Sequence, residues 1–316
     1  MLVISVVLLS RAFGGSAAPA LSNEDVCPGG RDCPAVLSAS ETPEPLATPV
    51  PTAAPAPTPL PVAVSEEDLP LPPIEGRAFA VLEAACGALL QERNGNVTLP
   101  PASLTKIVTA LVAVDQAALD EPVTIEIDGG ALSLETDATV MGVKPEDPLT
   151  VRDLLYGLMM RSGNDAALEL AEHISGDEES FTVLMNEKVA QLGLVDSHFT
   201  NAHGLHDFRL YSSALDMTSL GAALLANPAL AEIVRTKDYQ PNWDREPIDN
   251  LNLLLNNYPG AIGVKTGFTD VADQTIVAAA ERGGRTIIVS IFGTAYMYEE
   301  AVALLDWAFS TESPCG

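Results

Sequence analysis

The sequence predicts an α+β fold, in which helices cover one antiparallel sheet and a helical subdomain is inserted into it. Strand-like segments stand at both ends of the folded part, at residues 78–82 and 88–90 and again at residues 275–280 and 286–291. Helical patterns fill the middle of the chain. A sheet assembled from such distant segments indicates an α+β arrangement rather than a series of βαβ units.

Each of the flanking elements has a local signal. Gly87 separates the first two strands, and Arg282-Gly283-Gly284-Arg285 between the last two predicts a tight hairpin turn. Residues 298–309 predict a closing helix. The two hairpins therefore supply the predicted sheet.

The central helices also have start and stop signals. Thr150 with Asp153, and Ser213 with Asp216, place a capping residue three positions before a carboxylate that can return a hydrogen bond to the helix start. Residues 165–174 and 178–192 predict two more amphipathic helices, which end at Gly176 and Gly193.

Composition places limits on the class of protein. The 316 residues are 47 % hydrophobic, enough for a sizeable core. A net charge of -27, from 16 Lys and Arg against 43 Asp and Glu, argues against binding to nucleic acid or to anionic membranes. The four cysteines match no zinc pattern, and Cys27 and Cys33 either close a short loop or remain free thiols. No metal and no cofactor are predicted.

The chain divides into three predicted regions. Residues 1–20 are interpreted as a signal peptide, because an apolar run at 2–9 is followed by small residues, although no basic residue precedes that run. Residues 21–74 are interpreted as a Pro-rich disordered linker, because proline fixes an extended backbone and removes hydrogen-bond donors. The folded domain is expected at 75–312. The predicted signal peptide indicates export to the periplasm or the cell-wall face. Any tether is expected at the N-terminus.

A serine and a lysine, Ser103 and Lys106, open a helix whose apolar residues recur at helical spacing. At this spacing the Lys106 amine can approach the Ser103 hydroxyl. A serine needs a neighbouring base to become a strong nucleophile, and a lysine serves when burial or nearby cations lower its pKa. The pair predicts a nucleophile and its base, with a surface Ser–Lys pair as the alternative.

Two further clusters carry polar groups suited to the same chemistry. Ser162-Gly163-Asn164 lies between two predicted helices and could relay a proton and hold a substrate amide, or could be a turn in which Asn164 caps the next helix. Lys265-Thr266-Gly267 is predicted on a strand edge beside the nucleophile. Lys265 and the Thr266 hydroxyl could bind a carboxylate there, while Gly267 leaves room for the ligand.

In this order the three clusters resemble the motifs of the penicillin-recognising serine enzymes. Residues 100–110, 154–167, 199–205 and 263–270 resemble those of the low-molecular-weight D-Ala-D-Ala carboxypeptidases, serine peptidase family S11. The similarity runs from about Ala78 to Phe309. It implies a β-lactamase/transpeptidase-like fold and covalent inhibition by β-lactam antibiotics.

The resemblance also implies a role for each motif residue. Ser103 would attack the carbonyl between two D-alanines of a peptidoglycan stem peptide, and Lys106 would act as general base. Ser162 would relay the proton and Asn164 would contact the substrate. Lys265 and Thr266 of the Lys265-Thr266-Gly267 strand would bind the substrate carboxylate. The N–H groups of Ser103 and Phe268 would stabilise the oxyanion.

The chain departs from the family in two places. Asp273 stands after Ala272, where relatives usually carry glycine, which leaves the local turn and the substrate preference open. The sequence ends soon after its last predicted helix, so no C-terminal β-rich domain or amphipathic anchor is expected.

Three alternative functions remain beside the carboxypeptidase. A class A-like β-lactamase would need a glutamate after the middle motif, and none stands between Glu187 and Glu232; Gly163 also replaces the aspartate of those enzymes. The acyl-enzyme formed with penicillin is therefore expected to be hydrolysed slowly, so that penicillin inhibits the protein. The sequence hardly distinguishes a D-alanyl endopeptidase from a carboxypeptidase. The intact motifs argue against a catalytically silent wall-binding protein.

Other polar residues have simpler interpretations. His203, His206 and Asp207 are interpreted as a structural loop rather than a metal site, since Gly204 favours a turn. Arg161, beside the middle motif, either attracts an anionic substrate or is a solvated surface residue.

Overall fold

The computed structural model of the chain describes residues 70–136 and 138–315. The predicted signal peptide, nearly all of the predicted linker, and Cys27 and Cys33 lie outside the described residues.

One antiparallel sheet forms the centre of the domain. The strands are β1 (Ala78–Glu83), β2 (Ala88–Arg93), β3 (Asp238–Tyr239), β4 (Ile248–Asp249), β5 (Ala261–Thr269), β6 (Asp273–Arg282) and β7 (Arg285–Thr294). Five of them share the sheet in the order β2-β1-β7-β6-β5, and β3 pairs with β4 separately. Both predicted hairpins are therefore confirmed, and the pairing of β1 with β7 joins the first and the last hairpin of the folded part.

The turn of the second hairpin explains its pair of glycines. Gly283 and Gly284 have φ angles of 59° and 79°, a conformation that glycine adopts without steric cost.

The helices lie mostly between β2 and β5. A short 3₁₀ turn (Ala102–Thr105) leads into α1 (Lys106–Gln116), followed by α2 (Gly129–Thr136), α3 (Val151–Met160), α4 (Asn164–Ser175), α5 (Glu178–Gln191), α6 (Ala214–Ala226), α7 (Pro228–Arg235), α8 (Leu254–Asn257) and α9 (Met297–Ser310). This is the predicted α+β arrangement with a helical insertion.

Helices cover both faces of the sheet. Along β7, Ile288 packs into the core under the inserted helices, whereas Ile287 and Val289 pack with Leu304 of α9 on the other face. Successive side chains of a strand point to opposite faces, so a strand buried on both sides is apolar throughout. This accounts for the unbroken apolar runs in the sequence.

The two predicted capping boxes have different outcomes. Thr150 and Asp153 form the complete reciprocal box at the start of α3. Ser213 caps α6 by accepting from the Asp216 N–H, but the Asp216 carboxylate accepts from Asp196 and Ser197 instead of returning to the helix start. The second half of that prediction was wrong because a loop competes for the carboxylate.

A group that we call the C-terminal clasp consists of Glu83, Arg285, Ser313 and the disulfide Cys86–Cys315. Arg285 binds both carboxylate oxygens of Glu83, at 3.0 Å from Nε and 2.7 Å from Nη2, and Ser313 donates to the same carboxylate at 2.7 Å. The disulfide joins residues 229 positions apart. Sequence reasoning left the pairing of the cysteines open, so the clasp is a finding of the structure.

Among the described residues, no single helix is both long enough and apolar enough to cross a bilayer; α6 and α7 meet that test only as a pair, which is bent by 104°.

Candidate active site

Ser103 lies in the 3₁₀ turn at the end of a strained backbone segment. The preceding Ala102 has a φ angle of 50°, which costs a residue with a side chain on the order of 1 kcal/mol or more. Two contacts hold the turn: the Thr275 hydroxyl donates to the Pro101 carbonyl at 3.1 Å, and Gly204 packs so closely that a Cβ there would be 2.0 Å from the Ala102 oxygen. The surrounding fold therefore fixes the position of the Ser103 hydroxyl.

Lys106 begins α1 and is 0 % exposed. Its Nζ lies 3.2 Å from the Ser103 Oγ and 2.8 Å from the Asn164 Oδ1, and it also donates to the backbone carbonyl of His203. The carbonyl and the amide oxygen can only accept, so they take two N–H groups of the amine. In a neutral Lys106 the lone pair is then left for the Ser103 hydroxyl proton.

The charges around Lys106 favour this neutral form. Burial is the largest cause that holds the pKa of Lys106 well below its ordinary value, and the positive charge of Lys265 lowers it further. The negative charge of Asp165 acts in the opposite direction. A lowered pKa makes the amine that faces Ser103 better suited to act as a base.

Lys265 is a second buried lysine, on β5. It is 2 % exposed, its Nζ donates to the Thr266 carbonyl at 2.8 Å, and burial lowers its pKa to about 7. The Lys265 charge lowers the pKa of Lys106, so a protonated Lys265 favours the neutral form of Lys106.

Gly267 allows β5 to approach the nucleophile. A Cβ at this position would lie 2.9 Å from the Ser103 nitrogen and 2.6 Å from the Thr275 hydroxyl, so any side chain would push the strand and the turn apart. Thr266 is partly exposed, and the Phe268 side chain is 62 % exposed. The strand edge predicted beside the nucleophile is therefore present.

The middle motif joins the C-terminal end of α3 to α4. Ser162 is buried with a φ angle of 59°, and its hydroxyl makes no hydrogen bond to another described residue. Gly163 is the N-cap of α4, so the alternative in which Asn164 is the cap was wrong. Asn164 is instead the first residue of the helix and presents its side-chain oxygen to Lys106.

The departure at Asp273 leaves the turn between β5 and β6 intact. Asp273 adopts a φ angle of 57°, a conformation in which aspartate is better tolerated than most residues. Arg77 supports the turn by donating to the Ala272 carbonyl at 2.9 Å, and its Nη2 lies 3.7 Å from the Asp273 carboxylate.

Sequence reasoning missed the supporting groups behind Lys106. The His203 carbonyl is a backbone group and leaves no signal in a side-chain pattern. Glu178 accepts from the Ala202 N–H at 2.8 Å and lies 3.5 Å from the His203 Nε2. Burial and the Lys106 charge lower the pKa of His203 to about 3, so its ring is neutral. The interpretation of this segment as a structural loop omitted its contact with Lys106.

The other two members of the histidine cluster and Arg161 stay apart from these contacts. His206 is exposed, and the Asp207 carboxylate accepts from the Arg209 N–H at 2.8 Å. The residues that the structure describes contain no group of three His, Cys, Asp or Glu side chains arranged for a metal ion. Arg161 is partly exposed at the end of α3 and has no ion pair among the described side chains.

Comparison with known proteins agrees with this geometry. The family described as D-alanyl-D-alanine carboxypeptidase, peptidase S11, matches residues 64–295. The D-alanyl-D-alanine carboxypeptidase DacB2 of Mycobacterium tuberculosis is 35 % identical over 77 % of this chain and 85 % of its own length. The DacF carboxypeptidase of Bacillus subtilis is 36 % identical over 75 % of this chain, which spans 62 % of that relative's length.

Solved structures give the same result and confirm the predicted β-lactamase/transpeptidase-like fold. A D-alanyl-D-alanine carboxypeptidase from Mycobacterium tuberculosis superposes with a TM-score of 0.73 at 35 % identity, covering 79 % of this chain and 96 % of the other. The Streptomyces K15 DD-transpeptidase has a TM-score of 0.73 at 30 % identity, covering 77 % and 100 %. The chain therefore belongs to the D-alanyl-D-alanine carboxypeptidase family, peptidase S11, and is a hydrolase with carboxypeptidase activity.

Proposed function

We propose that this protein removes the terminal D-alanine from peptidoglycan stem peptides through a covalent acyl-enzyme on Ser103. The observation that carries the proposal is the placement of the Lys106 amine, buried beside a second lysine and 3.2 Å from the Ser103 Oγ. An amine held this way by two acceptors has its lone pair free for one proton, that of Ser103.

Acylation begins with transfer of the Ser103 hydroxyl proton to Lys106. The Ser103 Oγ bonds to the carbonyl carbon between the two D-alanines, and the oxyanion that forms is held by the N–H groups of Ser103 and Phe268. The C–N bond then breaks, and the proton passes from Lys106 through Ser162 to the leaving amine. Two features support this relay: the Ser162 hydroxyl has no hydrogen-bond partner among the described residues, and Ser162 stands two residues before Asn164, which contacts Lys106.

Substrate binding uses the β5 edge. Charged Lys265 and the Thr266 hydroxyl bind the terminal carboxylate, and Asn164 contacts a substrate amide. Gly267 keeps the space along the strand open. Water then attacks the ester carbonyl while Lys106 takes its proton. The bond between the carbonyl carbon and the Ser103 Oγ breaks, Lys106 returns the proton to that Oγ, and the shortened peptide leaves.

β-Lactam antibiotics enter the same site as acylating inhibitors. Since peptidoglycan is the substrate, the protein acts outside the cytoplasm, at the periplasm or the cell-wall face. The apolar run followed by small residues near the N-terminus supports this localisation.

The test is release of D-alanine from a peptide that ends in D-Ala-D-Ala, together with labelling by a fluorescent penicillin. Wild type is expected to give both signals, whereas Ser103→Ala and Lys106→Ala give neither. Ser219→Ala and Lys188→Ala are matched controls, because both lie on helices away from the site, where Ser219 bonds to a helix carbonyl and Lys188 to Asp115.

The outcomes separate the alternatives. Labelling at Ser103 without D-alanine release would replace the carboxypeptidase by an endopeptidase, and neither signal in wild type would favour a silent binding protein. Sustained, fast hydrolysis of nitrocefin would favour a β-lactamase.

A further inference from the structure

Asp165 lies directly after Asn164 and is fully buried. Its carboxylate accepts four backbone N–H groups. Oδ1 accepts from Met141 at 2.9 Å and Ala166 at 2.9 Å, and Oδ2 accepts from Gly142 at 2.8 Å and Val143 at 3.1 Å. Both oxygens are thus filled by donors, an arrangement suited to an ionised carboxylate.

These bonds fasten the start of α4 to the segment at residues 139–143. The Asn164 N–H donates to the Thr139 carbonyl at 2.8 Å in the same segment. The segment is anchored from outside by Arg245, whose Nη2 donates to the Gly142 carbonyl at 3.1 Å and to the Asp147 carboxylate at 2.7 Å. The backbone that carries Asn164 therefore cannot shift without breaking bonds to Asp165.

We propose that Asp165 is a positioning residue that holds the Asn164 amide against Lys106 and supplies a buried negative charge that shifts the acid limit of activity to higher pH. The inference rests on the proposed function, because it assigns Asp165 an effect through the Lys106 base. Asp165 touches neither Ser103 nor the substrate in that role.

Three groups act on Lys106 from the elements packed around it. Lys265 on β5 is a cation, His203 in the loop is neutral, and Asp165 on α4 is the anion. The Asp165 charge raises the pKa of Lys106 against the effect of burial and of Lys265. Removing it lowers that pKa further, so Lys106 stays neutral, and the enzyme stays active, to a lower pH.

Glu169 provides a matched control on the same helix. It is also buried, and its carboxylate accepts the N–H groups of Glu126 and Ile127 at 2.8 Å and 2.6 Å. The charges that act on Lys106 are those of Lys265 and Asp165. Glu169→Gln therefore removes a buried carboxylate and its backbone bonds without changing the charge near Lys106.

The experiment measures the second-order rate of Ser103 acylation by a fluorescent penicillin against pH, in the full chain. For Asp165→Asn we expect the acidic limb of the rate–pH profile to move to lower pH. We also expect the maximal acylation rate, the plateau of that profile, to fall about 10- to 100-fold, because the Asn164 amide loses its fixed position. For Glu169→Gln we expect the acidic limb of the wild type.

An acidic limb of Asp165→Asn at the wild-type position would overturn the proposal and leave Asp165 a structural residue. An equal shift in Glu169→Gln would also overturn it. If wild type itself is not labelled at Ser103, the proposed function fails instead.

Two further variants cover the case in which Asp165→Asn does not fold. Asp165→Glu keeps the negative charge, so its acidic limb should stay at the wild-type pH while its maximal acylation rate falls. Arg245→Gln loosens the segment at 139–143 from outside and should lower the plateau without moving the limb. A moved limb in either one contradicts the proposal.

Discussion

The active site and the C-terminal clasp both bury ionisable side chains, yet these side chains have different kinds of partner. In the clasp, Glu83 is 1 % exposed and is neutralised by Arg285 through two hydrogen bonds. In the site, Lys106 and Lys265 are equally buried, and each is held by uncharged oxygens rather than by a carboxylate.

The pKa directions follow from this difference. Binding to Arg285 is the largest cause that holds the pKa of Glu83 below its ordinary value, so the clasp stays charged at neutral pH. Burial lowers the pKa of both site lysines, so they approach or enter the neutral form. Pairing with Arg285 thus keeps Glu83 charged, whereas burial without a carboxylate partner favours the neutral amine that the proposed mechanism requires.

The largest expected effect comes from fixing the charge of the base. Lys106→Arg replaces an amine that can lose its proton by a guanidinium that cannot. We expect acylation of Ser103 by penicillin to fall by about 10³-fold or more. Lys188→Arg, on a surface helix, is the control, and a labelling rate within tenfold of wild type for Lys106→Arg would rule out Lys106 as the base.

The next effect is on stability, in the clasp. Arg285→Met leaves Glu83 buried without its partner, and we expect the free energy of unfolding in urea to fall by about 3–5 kcal/mol. Arg152→Met is the control, because Arg152 and its partner Asp120 are 37 % and 87 % exposed and such pairs contribute only about 0–1 kcal/mol.

The same pair predicts an acid-sensitive fold. Since the folded-state pKa of Glu83 is below its unfolded value, the contribution of Glu83 to stability is complete above the unfolded pKa and is lost as pH falls through the folded pKa.

The substitutions give the contrary outcome for the clasp. Equal losses of stability in Arg285→Met and Arg152→Met would contradict the assignment of the clasp as a paired, buried charge.

The disulfide should have a somewhat smaller effect. Replacing both Cys86 and Cys315 by serine opens a loop that spans 229 positions, and we expect a loss of about 2–4 kcal/mol in the free energy of unfolding. D-alanine release by the folded variant should match wild type, because the disulfide lies outside the site. A variant as stable as wild type would show that the hydrogen bonds of the clasp suffice.

The smallest effect concerns pH. The kcat/KM profile should be bell-shaped, because Lys106 must lose a proton and Lys265 must keep one to bind the substrate carboxylate. Since the pKa of Lys265 is about 7, kcat/KM should fall about tenfold per pH unit on the alkaline side. Lys265→Arg should move that alkaline limb upward, and an unmoved limb would assign it to another group.

Much of the fold and of the site could be predicted from the sequence. Unbroken apolar runs, the Gly283-Gly284 turn and the Thr150 cap are local signals, and each predicted an element that the structure contains. The spacing of Ser103 and Lys106 likewise placed two groups on one helix turn.

What could not be predicted depends on contacts between distant residues or on backbone atoms. The Asp216 carboxylate turned to a loop 19 and 20 positions away, and the pairing of Cys86 with Cys315 depends on the meeting of β1 and β7. The His203 carbonyl holds Lys106 through a group that every residue possesses, so its identity carries no information about the contact. Asp165 was visible as a residue, but its four partners were not.

The position of β5 at the edge of the sheet has a consequence for the behaviour of the protein in solution. α7 and α8 pack against this strand, and Gly263 near its start lies against Val234 of α7, whereas the Thr266–Phe268 end is more exposed. An open strand edge is a template on which another chain can add a strand. On the proposed function, the stretch that receives the substrate is the same edge on which a strand of a second copy would pair, so a bound inhibitor would also block that pairing.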